Sequence, residues 1–221
     1  YKSDKVVRAA LFVGLGLGFW QQASGSEAAV YYSPVVLEEA GMTSRGLLLA
    51  GTCFVGFFKL LGEILAALLI ERLGRRPLFL LSSMTSTMSL LGIAVSFFCR
   101  WTAVPTLMIL CTFMFCFSLG LGPLTFVVAA EVFPMQVRGK AVSLVVFVNR
   151  LLSGAIATSF LSIAHALTQG GAFLMFALIS MASVFFYAFC VPETKGKTLE
   201  QISDELAAEF HLPKTHAAWA P

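Results

Sequence analysis

Two polar interruptions break long apolar stretches of the sequence, and their side chains are suited to hydrogen bonding. The first interruption carries the amides Gln21 and Gln22 and runs through serine and glycine to Glu27. The second, residues 120–125, holds two glycines, a proline and a threonine, and the amide of Asn149 lies in a later apolar stretch. Amides donate and accept hydrogen bonds at once, which a neutral ligand with many hydroxyl groups requires.

Aromatic and hydroxyl side chains flank both interruptions. Tyr31 and Tyr32 follow the first one, whereas Thr125 and Phe126 close the second. An aromatic ring can cover the apolar C–H face of a sugar, and hydroxyl groups add hydrogen bonds. The tyrosine pair has a second interpretation, as part of the aromatic belt found at membrane surfaces.

Four charged residues, Glu27, Lys59, Glu63 and Arg150, lie inside apolar stretches. A charge at the centre of a membrane helix costs roughly 2.5 to 3.5 kcal/mol, so such a residue usually faces a cavity and is paired. Lys59 and Glu63 are four residues apart, so they can neutralise each other or reach a ligand. Glu27 is interpreted as ligand-facing, and Arg150 as a structural anchor or a ligand-facing group.

The composition indicates a membrane protein. Hydrophobic residues make up 58% of the 221 residues and charged residues 12%, against about 25% charged residues in soluble domains. Inside a bilayer, a helix break is tolerated only where it is buried in protein or lines a cavity, and paired breaks point to a binding site. Runs near 20 apolar residues predict six membrane spans, at residues 8–34, 45–71, 77–99, 103–132, 141–166 and 170–191.

Lysine and arginine residues segregate to one side of the predicted spans. Of the fifteen, eleven fall on one side, two (Arg45 and Arg100) on the other, and two within spans. The positive-inside rule makes the basic side cytoplasmic, and an even number of spans places both termini there. The basic side holds Lys2, Lys5, Arg8, Arg72, Arg75, Arg76, Arg138, Lys140, Lys195, Lys197 and Lys214.

We therefore expect an integral, multi-pass membrane protein in three parts. Residues 1–7 are expected to end a cytoplasmic linker, residues 8–192 to form a six-helix transmembrane bundle, and residues 193–221 to form a cytoplasmic tail. Within this tail the segment 198–201 fits a capping box, which predicts a short amphipathic helix from about residue 199 to 210.

The sequence shows no pattern typical of an enzyme, a metal site or a nucleic-acid-binding protein. The three histidines have no metal-ligand spacing, and no nucleophile–base pair lies at membrane depth, so we predict neither an enzyme nor a metal site. No basic patch interleaved with aromatic residues, of the kind that binds nucleic acid, is found. We likewise predict no cofactor.

Five motifs in order resemble the C-terminal half of a sugar porter of the major facilitator superfamily. The resemblance covers about residues 5–205, and it is nearest to the plant-type polyol and monosaccharide transporters. It implies an all-α membrane fold in which six transmembrane helices form one half of the transporter. The motifs are Gln21-Gln22-x-Ser24-Gly25 with Tyr31-Tyr32, Glu71-Arg72-Leu73-Gly74-Arg75-Arg76, Gly122-Pro123-Leu124-Thr125-Phe126, Glu131-Val132-Phe133-Pro134 with Val137-Arg138-Gly139-Lys140, and Pro192-Glu193-Thr194-Lys195-Gly196.

The resemblance implies roles for the polar residues described above. The amides would bind ring hydroxyls, Tyr31 and Tyr32 would form an outer lid, and Phe126 would cover the sugar's face. Glu27 and Lys59 stand where glucose-transporting relatives carry asparagine, so simple glucose selectivity is not expected. The expected substrate-binding residues are Gln21, Gln22, Glu27, Tyr31, Tyr32, Lys59, Thr125, Phe126 and Asn149.

The resemblance also implies a network of cytoplasmic salt bridges that favours the outward-open state. Carboxylates and arginines at the ends of spans can latch two halves together, and the latch must break for inward opening. Exposed pairs add only about 0–1 kcal/mol each, so only a network could gate. The alternative is plain positive-inside topology with local ion pairs. The expected members are Glu71, Arg75, Arg76, Glu131, Arg138 and Glu193.

The function implied by the resemblance is transport of a monosaccharide or polyol across the plasma membrane by alternating access. A proton is the candidate coupling ion. Because this family needs two six-helix halves, we expect the chain to be a truncated half whose missing partner is the N-terminal half. A uniporter and a non-transporting sugar sensor of the same fold are the alternatives.

Overall fold

A computed structural model describes residues 2–209, so residue 1 and the end of the predicted tail, 210–221, lie outside the described residues. Within this range the chain folds into nine helices. They are α1 (Lys2–Ala23), α2 (Ser26–Tyr31), α3 (Ser33–Glu39), α4 (Arg45–Leu73), α5 (Arg75–Phe98), α6 (Ala103–Leu119), α7 (Leu121–Val132), α8 (Arg138–Cys190) and α9 (Leu199–Glu209).

The helices follow the six predicted spans, which confirms the all-α membrane fold. By length and composition α4, α5, the joined α6 and α7, and α8 are each able to cross a membrane. The 53 residues of α8 cover two spans, because the backbone leaves the helical region at Thr168, where φ is 68°. The first predicted span, 8–34, is divided among α1, α2 and α3.

The first helix break lies between α1 and α2 and depends on a glycine. Gly25 has a φ of 76°, in the left-handed region that glycine adopts without strain. A Cβ atom at this position would lie 2.6 Å from the ring of Phe176, so the packing of α8 also requires glycine. The Ser24 hydroxyl donates to the Gln21 carbonyl at 2.7 Å and satisfies one acceptor that the break releases.

The second helix break lies at Gly120, between α6 and α7, and packs closely against α5. A Cβ atom on Gly120 would lie 2.5 Å from the Cβ of Ser82. The Ser82 hydroxyl donates to the Cys116 carbonyl at 2.6 Å and accepts the N–H of Leu121 at 3.0 Å. One serine of α5 therefore satisfies backbone groups on both sides of the break.

Two apolar clusters form the core, one towards each end of the bundle. We call the end at which α4 passes into α5 and α7 into α8 the basic end, and the other the opposite end. The cluster at the basic end includes Leu17, Phe133 and Tyr187, and the cluster at the opposite end includes Phe113 and Phe173. The first helix break lies between a residue of the basic-end cluster, Leu17, and residues of the other cluster, Ala28 and Ala29, whereas the second break is flanked by Leu119 and Leu121 of the basic-end cluster.

The helix α9 lies against the basic end. Its start is a capping box, in which the N–H of Thr198 donates to Gln201 Oε1 at 2.9 Å and the N–H of Gln201 donates to Thr198 Oγ1 at 3.4 Å. Ile202 and Leu206 are buried in the apolar cluster of that end. The tail helix is therefore docked on the bundle by its apolar side.

Gly62 tests the close packing of α4 on α6. A Cβ atom at Gly62 would lie 2.6 Å from the carbonyl oxygen of Phe115, so Gly62→Ala must push the two helices apart. We expect a loss of about 1–3 kcal/mol in stability, typical of overpacking, measured by thermal unfolding in detergent. Gly56→Ala in the same helix is the matched control, because a Cβ atom there meets nothing within 4 Å. Equal stability of the two variants would contradict the packing.

Candidate functional site

A cavity of about 420 Å³ lies where both helix breaks meet α4 and α8. Its wall includes five of the predicted binding residues, together with Arg150 and Glu63, the other two charged residues at membrane depth. Gly122 and Pro123 of the second break also line it. The five predicted residues on the wall are Gln21, Gln22, Glu27, Lys59 and Phe126.

Gln21 connects the two helix breaks directly. Its Nε2 atom donates to the carbonyl oxygens of Leu121 and Gly122, each at 2.9 Å. Its Oε1 atom accepts a hydrogen bond of 2.7 Å from Asn149 Nδ2. The side chain is 4% exposed, so Gln21 both forms part of the wall and holds α1, α7 and α8 together.

Gln22 and Ser118 present polar atoms without partners at the cavity wall. Gln22 Nε2 donates to Asn149 Oδ1 at 3.2 Å, but Gln22 Oε1 is buried and has no hydrogen-bond partner among the described residues. Ser118 Oγ is likewise buried without a partner in that part of the chain. Most buried polar atoms are paired, and both residues line the cavity, which makes these two groups candidates for hydrogen bonds to a ligand.

Asn149 lies behind the wall and orients the residues on it. Its side chain is fully buried, and its Nδ2 atom donates to the Gly18 carbonyl at 2.9 Å and to Gln21. Its Oδ1 atom accepts from Gln22 and, at 2.8 Å, from Arg150 Nη2. With these four bonds the amide is satisfied, so Asn149 positions the two glutamines and the arginine.

The charged side chains of the cavity form one ion pair and leave two charges unpaired. Arg150 Nη1 and Glu27 Oε1 are 3.5 Å apart. Lys59 and Glu63 both line the cavity, yet the i,i+4 ion pair that their spacing allows is not formed, and neither has an ion-pair partner among the described side chains. The wall therefore offers both an ammonium and a carboxylate group to a ligand.

Besides Asn149, three other predicted binding residues do not line this cavity. Thr125 is fully buried, and its hydroxyl donates to the Leu121 carbonyl at 2.8 Å. The hydroxyl of Tyr32 donates to the Ala157 carbonyl of α8 at 2.7 Å, and the Tyr32 ring stacks on the ring of Phe160, also in α8. Tyr31 is 60% exposed. Tyr32 therefore attaches the α2–α3 turn to α8.

A charge network at the basic end surrounds the start of α5. Arg75 Nη2 lies 3.0 Å from Glu131 Oε1 and 3.3 Å from Glu71 Oε1. The hydroxyl of Thr194 donates to the second oxygen of Glu131. Because the Arg75 side chain is only 11% exposed, its pair with Glu131 is better shielded from water than a surface ion pair.

Glu193 caps the N-terminus of α5 with its carboxylate. Its two oxygens accept the N–H groups of Arg75 and Arg76 at 2.9 and 3.0 Å. A Cβ atom on Gly74, where φ is 90°, would lie 2.9 Å from Glu193 Oε2, so only glycine leaves room for the carboxylate. Burial raises the pKa of Glu193, but backbone N–H bonds from Lys195, Arg75 and other residues outweigh burial and hold the pKa below its ordinary value.

Arg76 and Arg138 join this region through carbonyl groups. The Arg76 guanidinium donates to the Ala188 carbonyl, and Arg138 Nε donates to the Phe133 carbonyl at 3.1 Å. Neither forms an ion pair with a described carboxylate. Two residues that were not predicted as members also take part: Thr194 through its bond to Glu131, and Lys195, whose ammonium donates to the Arg72 carbonyl at 2.7 Å.

These features define a multi-pass membrane bundle with a polar cavity at paired helix breaks. A protein-family profile described as "Sugar (and other) transporter" matches residues 1–206. The chain therefore belongs to this family of the major facilitator superfamily, whose members are transporters and not enzymes.

Several known proteins are similar to this chain in sequence or in fold. The chain is 43% identical over 201 residues to "Probable polyol transporter 4" and 34% identical over 197 residues to "D-xylose-proton symporter-like 2", both from Arabidopsis thaliana. These alignments cover 89% and 87% of this chain, but 38% and 39% of the relatives. The inward-open xylose transporter XylE from E. coli superposes with a TM-score of 0.77 at 25% identity, covering 88% of this chain and 41% of that chain. The chain thus spans about two-fifths of the length of these three relatives.

The lowered pKa of Glu193 predicts that the stability of the protein depends on pH. Because its pKa is lowered from the ordinary value of 4.5 in the folded state, its contribution is fully present above that value and is lost as the pH falls through the folded-state pKa. We expect Glu193→Gln to lower the thermal stability at neutral pH, and the difference from the unmodified protein to shrink on acidification. Glu200→Gln, at an exposed position of α9, should behave like the unmodified protein at every pH. A constant difference across the range would show that the carboxylate charge is not involved.

Proposed function

We propose that this chain forms one half of a transporter that moves a monosaccharide or polyol across the membrane by alternating access. The observation that carries the proposal is the cavity at the two helix breaks. Gln22 Oε1 and Ser118 Oγ have no hydrogen-bond partner among residues 2–209, and hydroxyl groups of a ligand would satisfy both atoms. Phe126 adds an aromatic surface for the C–H face of the same ligand.

The size and polarity of the cavity suit a single small polyhydroxyl molecule. Its volume of about 420 Å³ falls in the range of roughly 300–1,000 Å³ typical of small-molecule sites. Four of the wall residues, Gln21, Gln22, Ser26 and Ser118, carry neutral hydrogen-bonding groups, whereas Lys59 and Glu63 add charges of opposite sign. Charged donors and acceptors strengthen hydrogen bonds to hydroxyl groups. The printed names of the relatives, which include polyol, xylose and trehalose transporters, support this class of substrate.

Alternating access requires a second wall, which we propose is supplied by the missing N-terminal half. The helix α4, which carries Lys59 and Glu63, is 17% buried along its most apolar window, so much of its surface is left for lipid or for other helices. The network around Arg75 and Glu193 is proposed to latch the halves at the cytoplasmic side in the outward-open state. Opening inward would require these bonds to break.

We propose that the full-length protein is a proton symporter of the plasma membrane, with both termini of this chain in the cytoplasm. The name of one relative, a D-xylose-proton symporter-like protein, supports proton coupling. The asymmetry of lysine and arginine between the two sides of the bundle supports the orientation. The acidic residue that carries the coupling proton is expected in the missing half.

Gln22 tests whether the cavity binds the substrate. In the full-length protein, Gln22→Ala removes the free acceptor, and we expect the KM for sugar or polyol uptake to rise roughly tenfold, the effect of losing one or two hydrogen bonds. Gln136→Ala is the control, because Gln136 is exposed in the connection between α7 and α8. An unchanged KM in Gln22→Ala, with normal expression, would remove the cavity from the transport pathway.

Proton coupling is tested by uptake into vesicles with an imposed pH gradient. An inward proton gradient should drive substrate above its external concentration, and a protonophore should abolish this accumulation. The panel should include hexoses, pentoses and linear polyols, since one hydroxyl group changes the fit to the cavity. Equilibration without accumulation, insensitive to the protonophore, would identify a uniporter.

A further inference from the structure

A second cavity, of about 330 Å³, lies at the opposite end of the bundle. It is an open cleft between the connection from α3 to α4 and the connection from α5 to α6. Glu39, Arg100 and Trp101 line it, together with Phe97 and the backbone at Gly41. This cavity shares no lining residue with the cavity at the helix breaks, so it is a separate site.

Two helices end at this cavity with the same backbone motif. At the end of α3, the N–H of Gly41 bonds to the Glu38 carbonyl and the N–H of Met42 to the Leu37 carbonyl. At the end of α5, the N–H of Arg100 bonds to the Phe97 carbonyl and the N–H of Trp101 to the Ser96 carbonyl. Both are Schellman caps, whose C′ residue adopts a left-handed conformation and is usually glycine.

The two caps differ in the residue at the C′ position. The first cap has Gly41 with a φ of 101°, whereas the second has Arg100 with a φ of 52°. A residue with a Cβ atom pays roughly 1–2 kcal/mol in this conformation. Thr168, with a φ of 68°, is the other described residue of this kind, and its hydroxyl accepts the N–H of Gly171. Arg100 makes no side-chain hydrogen bond or ion pair with the described residues, so local structure does not explain the arginine.

The charges of this cavity have no partners within the described chain. Glu39 and Arg100 both line it, but they form no ion pair with each other or with other described side chains. The carbonyl groups at the end of α5 add a partial negative charge. Trp101, which lines the cavity, is 46% exposed, and Phe98, three residues earlier in the chain, is 58% exposed, so exposed aromatic side chains accompany the exposed charges of Glu39 and Arg100 at this end.

From this juxtaposition we infer that the cavity binds the zwitterionic headgroup of a membrane phospholipid. The Arg100 guanidinium matches the phosphate group, for which its planar fork of N–H donors is suited. The Glu39 carboxylate and the indole ring of Trp101 match the choline or ethanolamine ammonium group through charge and cation–π attraction. The exposed rings of Phe98 and Trp101 contact the acyl chains.

The backbone cost at Arg100 has an explanation in this arrangement, in which the exposed carboxylate of Glu39 supplies the second charge. A strained conformation is commonly found where the side chain has a function. The volume of the cavity falls in the lower part of the range of about 300–1,000 Å³ for small-molecule sites, which suits a headgroup. The inference is independent of the substrate and of the coupling mechanism.

The test measures binding of short-chain phospholipids to the purified protein. The probes are dihexanoyl phosphatidylcholine, dihexanoyl phosphatidylglycerol, which lacks the ammonium group, and free phosphocholine, which lacks acyl chains. Native mass spectrometry or the shift in thermal unfolding reports the affinity. The variants are Arg100→Gln, Arg100→Gly and Glu39→Gln, and the controls are Arg45→Gln and Glu38→Gln, at exposed positions of the same end that do not line the cavity.

We expect Arg100→Gln to weaken both phospholipids about tenfold, the effect of losing a charge-assisted hydrogen bond. Glu39→Gln should weaken phosphatidylcholine by a similar factor and leave phosphatidylglycerol unchanged. Arg100→Gly should be at least as stable as the unmodified protein without lipid, because glycine removes the backbone cost, and should still lose phosphatidylcholine binding.

Three results would overturn the inference. The first is equal effects of the control variants Arg45→Gln and Glu38→Gln, which would indicate general surface charge. The second is unchanged phosphatidylcholine binding in Arg100→Gly. The third is free phosphocholine binding as tightly as phosphatidylcholine, which would identify a site for a soluble phosphate ester and not for a lipid.

Discussion

The structure depends on satisfying the backbone groups that two broken helices release inside an apolar bundle. Without water, each unpaired N–H or carbonyl group there costs several kcal/mol. Ser82 meets this demand for the N–H and carbonyl groups around Gly120, and Gln21 donates to the carbonyls just after that break. The polar side chains at the centre of the bundle are therefore required by the breaks as well as by a ligand.

The same side chains also determine which atoms remain available to a ligand. Asn149 uses both ends of its amide on α1 and Arg150, and Gln21 is fully engaged. Gln22 has one end fixed by Asn149, and this leaves Oε1 without a partner in the described part of the chain. The polar layer lies between two apolar clusters, which keep the neighbouring helices fixed. The free groups are thus held in place before a ligand arrives, and this reduces the cost of binding.

The sequence predicts the spans, the breaks and most of the cavity wall, because length, hydropathy and glycine positions determine them. It does not predict which way a polar side chain points once the helices pack. Thr125 and Asn149 were both predicted to bind the ligand. The Thr125 hydroxyl instead bonds to a carbonyl of its own helix, and Asn149 lies behind the cavity wall. Ser118 could be found only as a serine two residues before the second break. Thr194 joins Glu131 through a tertiary contact for which the sequence has no signal.

The carboxylate of Glu193 has a mechanical consequence for the bundle. It fastens the segment that follows α8 to the first two backbone N–H groups of α5, and Arg76 fastens the same helix to the Ala188 carbonyl within α8. These hydrogen bonds lie at one end of the α5–α8 pair, at the start of α5 and near the end of α8. As long as these bonds hold, the start of α5 and the end of α8 are therefore constrained to move together at the basic end.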